Sequence, residues 1–182
     1  MEISKVHFKI RGICTILFDR NTGEVPGSDE DAKKQAPHKI YTNAEGDICI
    51  PADMVKASAR SACREIGKKM ESKKREQAFR AGVFFDKEMY SLGRKDTDGL
   101  HAEMVTRKGT GNKVTRVCSY RPFVREWEIE GNALLYAVSQ QLFLESLTLA
   151  GFKFGLGSHR PEFGRFEVVE CVEVANEESK TA

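Results

Sequence analysis

Strand-like and helix-like segments alternate along this chain of 182 residues in an order that few folds can accommodate. The first segment, 5–18, is rich in apolar β-formers such as Val6, Phe8 and Ile10, and its Gly12 suggests a bulge. Three further segments have strand character: 79–86, 121–130 and 165–175. Apolar residues at helical spacing predict two helices, over 51–73 and over 133–150, the second with Asn132 as its N-cap.

The segments between these elements are polar and carry turn residues. Residues 19–38 predict a long, mobile loop, and 39–42 with 47–50 predict a short hairpin. Within 87–120, the segments 101–108 and 113–120 flank a Gly-Thr-Gly-Asn turn and predict a basic hairpin.

Together these elements give the order β-α-β-β-α-β, with 87–120 inserted between the second and third strands. That order is typical of an α+β, ferredoxin-like fold, which the RRM-like RNA-recognition fold shares. The length suits one domain, so the sequence predicts a single domain over 1–176 and a polar tail over 177–182.

Composition excludes several classes of function. Mean hydropathy is −0.45, and no apolar run approaches the about 20 residues that a membrane span needs, so we expect a cytoplasmic protein with no membrane partner. The five cysteines are scattered without a C-x-x-C pair, which argues against a zinc site or a disulfide framework. Metal and nucleotide motifs are absent from the sequence, and no cofactor is expected.

The charges are distributed unevenly, although the net charge is only +2. The stretch 104–125 contains basic residues and no acid, and 56–80 contains nine Lys or Arg against three Glu. A basic face of this kind is typical of proteins that bind a polyanion. A solvated surface gives the same pattern, so the charges alone leave both readings open.

A glycine-rich segment, 151–165, follows the second predicted helix and carries Lys153, His159, Arg160 and Arg165. Glycine allows close approach of a backbone to a ligand, and N–H groups in such a loop can hold phosphate oxygens. An ordinary helix-to-strand connection with a glycine cap is the alternative.

Two segments resemble motifs of the RAMP superfamily, the RNA-binding subunits of CRISPR effector complexes. Residues 50–60 resemble the Ile-Pro-Gly-Ser-Ser-Leu-Lys-Gly-x-x-Arg start of the first RAMP helix. Residues 155–168 resemble the C-terminal glycine-rich loop of that superfamily. The matching positions are Pro51, Lys56, Arg60, Gly155, Gly157, Arg160, Gly164 and Arg165. The sequence departs from the motifs at Ala52-Asp53, in place of Gly-Ser, and at Pro161-Glu162, where a glycine is usual.

The resemblance to the backbone-forming branch of the superfamily implies a non-catalytic subunit that binds single-stranded RNA or DNA and oligomerises along it as a filament, with 87–120 as a thumb. It also implies antiviral defence and contact with other effector subunits. The residues expected to bind nucleic acid are Lys56, Arg60, Arg107, Lys108, Lys113, Arg116, Arg121, Gly155, Gly157, Ser158, His159 and Arg160. Tyr120 and Phe163 are candidates for base stacking, and packing in the core is the alternative role for each.

Three alternatives remain open from the sequence. The processing-nuclease branch of the superfamily would use a loop histidine, His38 or His159, to cleave RNA without a metal. Metal-assisted cleavage would need carboxylates, and the closely spaced candidates are Asp29, Asp31, Asp96 and Asp98. The third alternative is a protein-interaction subunit or decoy of a CRISPR-like complex.

Overall fold

The computed structural model describes residues 3–108 and 114–174. The described strands are β1 (Ile3–Gly12), β2 (Ile16–Leu17), β3 (Tyr41–Thr42), β4 (Ile48–Pro51), β5 (Val83–Phe85), β6 (Met89–Ser91), β7 (Gly99–Lys108), β8 (Val114–Val124), β9 (Glu128–Tyr136) and β10 (Phe166–Val174). The described α-helices are α1 (Asp29–Gln35), α2 (Ala52–Cys63), α3 (Ser72–Gly82) and α4 (Gln140–Leu149). A 3₁₀ turn (Ala36–Lys39) follows α1, another (Lys69–Glu71) precedes α3, and a π-helical turn (Ala150–Phe154) follows α4. None of the described helices is long and apolar enough to cross a membrane.

The architecture is mixed α+β, and its largest sheet has the strand order β10-β1-β9-β5. Each neighbouring pair in this sheet is antiparallel. Successive residues of a strand point to opposite faces, and on β1 the buried face carries Val6, Phe8 and Ile10. Phe79 of α3 and Phe143 of α4 belong to the same buried cluster, so the helices cover one face of this sheet.

Two three-stranded sheets complete the fold, β2-β8-β7 and β3-β4-β6. In the first, β7 and β8 pair from Gly99 opposite Phe123 to Lys108 opposite Val114. The predicted basic hairpin is therefore confirmed, with both strands longer at its base than expected. The short hairpin predicted over 39–42 and 47–50 is confirmed as β3 and β4, and the final strand as β10.

The single strand predicted over 5–18 is wrong, because the chain leaves the large sheet after Gly12 and enters the second sheet as β2. A Cβ at Gly12 would collide with the indole of Trp127, whose Nε1 donates a hydrogen bond to the Cys14 carbonyl at 2.9 Å. The irregularity in the β1 pairing lies instead at Lys9 and Ile10, opposite β10. The predicted bulge at Gly12 was thus misplaced.

The loop predicted over 19–38 is also wrong, since it contains α1 and a 3₁₀ turn. Ser28 caps α1 by accepting a hydrogen bond from the Asp31 amide at 3.1 Å, and the first turn is acidic. Both features stabilise a helix N-terminus. The polar composition of this segment concealed them.

The long helix predicted over 51–73 ends at Cys63, and a separate helix, α3, follows. Phe79 was assigned to the second strand, but it lies on α3, where its ring stacks on Phe143 at a centroid distance of 6.2 Å. The second strand is therefore reduced to β5. Burial of one large aromatic side chain from the helix outweighs the local β-propensity of the segment.

The third strand and second helix were predicted too early in the chain. Residues 133–136 continue β9, whose inward positions Ile129, Ala133 and Leu135 alternate with exposed ones. The helix α4 begins after Ser139, whose Oγ accepts from the Leu142 amide at 3.2 Å. Asn132 is therefore not an N-cap, and its side-chain amide donates to Asp86 at 2.9 Å.

Candidate nucleic-acid interface

An open groove of about 590 Å³ lies where α2, the π-helical turn and the glycine-rich loop meet. It is lined by Ser61, Lys153, Phe154, Gly157, Ser158, His159, Arg160 and Pro161. The groove is therefore lined by four consecutive residues that were predicted to bind nucleic acid: Gly157, Ser158, His159 and Arg160. Arg160 is exposed and forms no ion pair with the described residues.

The loop that walls this groove depends on glycine at Gly155, Gly157 and Gly164, which have φ of 69°, 77° and 73°. Side chains other than glycine rarely adopt this left-handed region. A Cβ at Gly157 would also collide with the Leu17 carbonyl oxygen. The loop is thus held against β2 by a close backbone approach that only glycine permits.

Most amide groups of the loop are used inside the fold rather than presented to a ligand. Their acceptors are Ala150 for Gly155, Gly164 for Leu156, Met54 for Gly157, Leu17 for Ser158, His159 for Phe163, Thr15 for Gly164 and Cys14 for Arg165. A phosphate cradle made of backbone N–H groups is therefore confined to the stretch between Ser158 and Phe163. The glycines serve mainly to shape the groove wall.

The two basic residues of the α2 motif serve different contacts. The Lys56 ammonium donates to the Val83 carbonyl at 2.6 Å and lies 5.1 Å from the centre of the Phe84 ring. Burial lowers the pKa of Lys56, an effect that the nearby Arg60 reinforces. Arg60 is more exposed and lies 3.6 Å from Glu76 of α3. Lys56 therefore fastens α2 to β5, and Arg60 is the better placed of the two for an outside anion.

Basic residues outside the set predicted to bind nucleic acid extend the groove. Lys153 lines it and pairs with Glu65 while remaining 56% exposed. A second groove of about 550 Å³ shares Ser61 and Phe154 with the first and adds Arg64 and Lys69. Arg64 was hidden among the many charges of 56–80. Its position becomes visible only once α2 ends at Cys63 and the chain turns.

The basic residues of the hairpin lie partly outside the described residues. Lys113 lies outside the described residues, and Arg107 and Lys108 are described only as backbone partners of Thr115 and Val114 on β8. Arg116 is exposed on β8, where it lines a groove of about 530 Å³ facing α1. The predicted phosphate contacts of this hairpin therefore remain predictions.

Arg121 lies inside the fold rather than on its surface. It is 9% exposed, its Nε donates to Asp19 at 2.9 Å, and its Nη1 lies 3.5 Å from Glu103. Little of the guanidinium is left for a phosphate. We assign it instead to a charged cluster that joins the hairpin base to the segment after β2.

Asp19 is the second member of this charged cluster. Burial opposes its ionisation, but hydrogen bonds and charges from Lys39, at 3.0 Å, and from Arg121 outweigh the burial and lower the pKa of Asp19. The carboxylate is thus held ionised between two cations.

The glycine-rich loop joins the same cluster through His159. Its Nε2 lies 3.0 Å from Glu103 Oε2, and its backbone φ is 54°, in the left-handed region. The ring of His101 on β7 lies 6.4 Å from that of His159, and Phe163 packs on His101 at 5.2 Å. His101 was not among the residues singled out from the sequence, because only the paired strands of the hairpin bring it to the loop.

The other candidates lie elsewhere. His38 is exposed on the 3₁₀ turn, and its carbonyl accepts a hydrogen bond from Arg20 at 3.2 Å. Tyr120 donates its hydroxyl to Asp29 at 2.9 Å, which ties β8 to α1 rather than freeing the ring for a base.

The carboxylate pairs considered for a metal are used within the fold. Asp31 accepts from the Ser28 hydroxyl at 2.7 Å, and Asp98 accepts from Arg94 at 2.7 Å. Hydrogen bonds from the Arg94 side chain and the Arg125 amide lower the pKa of Asp98. Asp96 accepts from the same Arg94 through its backbone carbonyl. Over 3–108 and 114–174, no three His, Cys, Asp or Glu residues are grouped as metal ligands would be.

Comparison with solved structures finds a similar fold in a chain of known structure. A chain from a structure described as "Cryo-EM structure of the Type III-B Cmr-beta bound to cognate target RNA" matches with a TM-score of 0.54 and 15% sequence identity. The match covers 95% of this chain and 61% of the Cmr-beta chain. This chain therefore shares the fold of that Cmr-beta chain. The resemblance inferred from two short motifs is confirmed at the level of the fold, and the RAMP-like chain spans about 61% of the length of the Cmr-beta chain.

A second similar structure is Cmr6 from Pyrococcus furiosus, with a TM-score of 0.47, 9% identity, and coverage of 92% of this chain and 99% of that one. No family model and no curated protein matches the sequence.

Proposed function

We propose that this protein is an RNA-binding subunit of a CRISPR-type effector complex, in which the groove between α2, the π-helical turn and the glycine-rich loop holds a single strand. The observation that carries the proposal is the convergence of Lys153, His159 and Arg160 on one open groove. Cations on such a wall neutralise phosphates and release counterions, which gives affinity without sequence preference. The Cmr-beta complex that shares the fold was determined with target RNA bound.

The neighbouring groove supports a path for several nucleotides rather than one phosphate. Arg64 and Lys69 continue the basic wall beyond Phe154, which lines both grooves and is partly packed on the core. Aromatic rings beside a basic track can stack on bases of any sequence. The strand would thus cross the end of α2 and leave over the glycine-rich loop.

We also infer the finer architecture that the sequence predicts. The strands of the large sheet lie in the order β10-β1-β9-β5. Along the chain, helices lie between β1 and β5 and between β9 and β10. This arrangement supports a ferredoxin-like core. Residues 1–176 would form one RAMP-like domain, with 87–120 as its thumb and 177–182 as a tail. The subunit would act in the cytoplasm in antiviral defence and oligomerise along its strand.

Photocrosslinking tests the site. RNA carrying 4-thiouridine at single positions is irradiated with the protein, and the crosslinked peptides are identified by mass spectrometry. We expect crosslinks within 152–161 and within 61–72. Crosslinks confined to the strands β1 and β10 would contradict the proposed path.

Oligomerisation is tested separately, by mass photometry with RNAs of increasing length. The backbone-subunit proposal predicts particle masses that rise in steps with strand length. A protein that binds one copy per RNA at every length would fit a solitary binding module. Tight binding to another effector subunit without RNA would favour the protein-interaction alternative.

A further inference from the structure

The large sheet has one face that the helices do not cover. Helices α3 and α4 pack on the face that carries Val6, Phe8 and Ile10. On the opposite face, which we call the open face, the outward positions of β1 and β9 are exposed or half-buried. Stable folds bury the apolar surface of a sheet against a second layer. The residues of the open face therefore indicate what it contacts.

One half of the open face is apolar. Each of the four strands places a large apolar side chain there, and these are 37–49% exposed: Ile3, Phe84, Leu134 and Val172. Leu134 lies opposite Phe84 on one side and opposite Lys5 on the other. Exposed apolar side chains that are grouped in this way are typical of surfaces that contact another protein.

The other half of the open face is ionic, with an excess of acid. Lys9 and Arg11 on β1 each have a glutamate opposite them on both neighbouring strands, and these four are Glu128, Glu130, Glu167 and Glu170. Lys9 Nζ lies 2.6 Å from Glu128, and Arg11 Nε lies 2.8 Å from the same carboxylate. Four glutamates thus share two cations, which leaves negative charge for an outside cation.

An open groove of about 950 Å³ lies along this acidic half. It is lined by Lys9 and Arg11, by residues 126–130 and by the segment 90–93. Lys87 and Glu126 also line it and add one charge of each sign. The groove has room for the long side chains of Lys or Arg beside the glutamates.

A polar row between the two halves is fixed by hydrogen bonds. The Asn132 side-chain amide donates to Asp86 at 2.9 Å, and Asn132 Oδ1 lies 3.4 Å from His7 Nδ1. Tyr90 donates its hydroxyl to the same Asp86 at 3.1 Å. Because these side chains are already ordered, a partner that docks here loses less conformational entropy.

The charges select among the possible occupants. The phosphates of a nucleic acid would meet four glutamates, so the open face is unsuited to an RNA strand. Two copies of this chain could pack face to face about an axis along the strands, but that would bring the two acidic halves together. An axis across the strands would set glutamates against apolar side chains instead. A chain with apolar and basic side chains matches both halves.

We propose that the open face docks an amphipathic helix of a different protein chain, with apolar side chains over Phe84 and Leu134 and with Lys or Arg over the acidic half. Leu134 and Glu130 are four residues apart on β9, which is about 13 Å at about 3.3 Å per residue. A helix rises about 1.5 Å per residue, so its basic residues should follow its apolar ones by about nine positions. The inference goes beyond RNA binding, because none of the residues that line the groove at 152–161 lies on this face.

Heteronuclear NMR with synthetic peptides tests the proposal. The probe is a helical peptide of about 18 residues, with Leu and Phe on one face of its first two turns and Lys on the same face of its last two turns. It is titrated into the isotope-labelled full chain. We expect chemical-shift changes at the outward positions of β1 and β9 and none at 152–161. A matched peptide with Glu in place of Lys should bind about tenfold more weakly or worse.

The variants separate the two halves of the face from folding. Glu130→Lys should weaken binding of the Lys peptide by about tenfold and strengthen binding of the Glu peptide, which a misfolded protein could not do. Leu134→Ser should weaken binding of both peptides. Glu45→Lys is the matched control, because Glu45 is exposed in the turn between β3 and β4. Glu45→Lys should leave both affinities unchanged, and RNA affinity should be the same in all three variants.

Four results would overturn the proposal. Neither peptide might produce shifts, or both might bind equally, which would show that the acidic half selects nothing. Shifts centred on 152–161 would place the peptide in the RNA groove. Changes on β1 and β9 that follow protein concentration without peptide would show that a second copy covers the face. RNA affinity is measured on the same samples by fluorescence anisotropy, so the proposed function stands or fails separately.

Discussion

Glu103 of the hairpin and His159 of the glycine-rich loop are in contact, with 3.0 Å between Oε2 and Nε2. This contact joins the wall of the basic groove to the β7–β8 hairpin. Arg121 continues the connection to Asp19, which follows the second strand. The groove therefore depends on three parts of the chain that are far apart in sequence.

Arg121 should be important for stability rather than for direct phosphate contact. Replacing Arg121 with Met removes the partner of Asp19 and of Glu103, and both carboxylates are partly exposed. Because each carboxylate loses a charged hydrogen bond, we expect a loss of about 1–3 kcal/mol in the free energy of unfolding. Urea denaturation measures the loss. The matched control is Arg116→Met on the same strand, which is exposed and should change stability by less than about 0.5 kcal/mol. Equal losses in the two variants would contradict the buried cluster.

Gly157→Ala tests the construction of the groove wall. The substitution places a Cβ against the Leu17 carbonyl at a φ of 77°, so it must both strain the backbone and displace the loop. We expect a loss of about 2–4 kcal/mol in the free energy of unfolding, whereas the left-handed conformation alone costs about 1–2 kcal/mol. Gly93→Ala is the control, because Gly93 has a φ of 66° with open space around it. If both variants lost the same stability, the close approach to Leu17 would be refuted.

Asp19 should make part of the stability dependent on acid pH. Its pKa is lowered by Lys39 and Arg121 against the effect of burial, so the stabilisation is complete above the ordinary value of 3.8 and is lost as pH falls through the lower folded value. Asp19→Asn should therefore destabilise the protein at pH 6, and the difference from the unchanged protein should narrow towards pH 2. Urea unfolding at a series of pH values checks this.

The control for the pH series is Glu30→Gln. Glu30 pairs with Lys34 one helical turn away, and both side chains are more than two-thirds exposed, at 77% and 70%. Exposed pairs of this kind contribute little. A difference between Asp19→Asn and the unchanged protein that stayed constant from pH 6 to pH 2 would show that the carboxylate is not held ionised by its neighbours.

The sequence predicted the parts of the fold that local pattern determines. The alternation of Val6, Phe8 and Ile10 gave the first strand, and the two basic segments around a Gly-Thr-Gly-Asn turn gave the hairpin. It misplaced elements where a distant partner decides, as at Phe79, which stacks on Phe143 from a helix. Helix caps at Ser28 and Ser139 were present in the sequence and were overlooked.

The site shows the same division. The glycine-rich loop was recognisable from the spacing of its glycines. In the structure, Gly155, Gly157 and Gly164 all have positive φ. The position of His101 beside the loop was not recognisable, because His101 and His159 are brought together only by the pairing of β7 with β8 and the packing of the loop on that hairpin. Arg121 looked like a surface cation for a similar reason, since its partners Asp19 and Glu103 lie on other elements.

The most direct test of the account compares RNA affinity over a salt series for the unchanged protein and for the double variant Lys153→Ala, Arg160→Ala. Fluorescence anisotropy with a labelled single strand gives the slope of log affinity against log salt. Lys34→Ala is the control, because Lys34 lies on α1 and pairs with Glu30. We predict that the double variant flattens the slope by about 1.4, or about 0.7 for each lost phosphate contact, while the control leaves it unchanged. An identical slope in all three proteins would contradict the proposed groove.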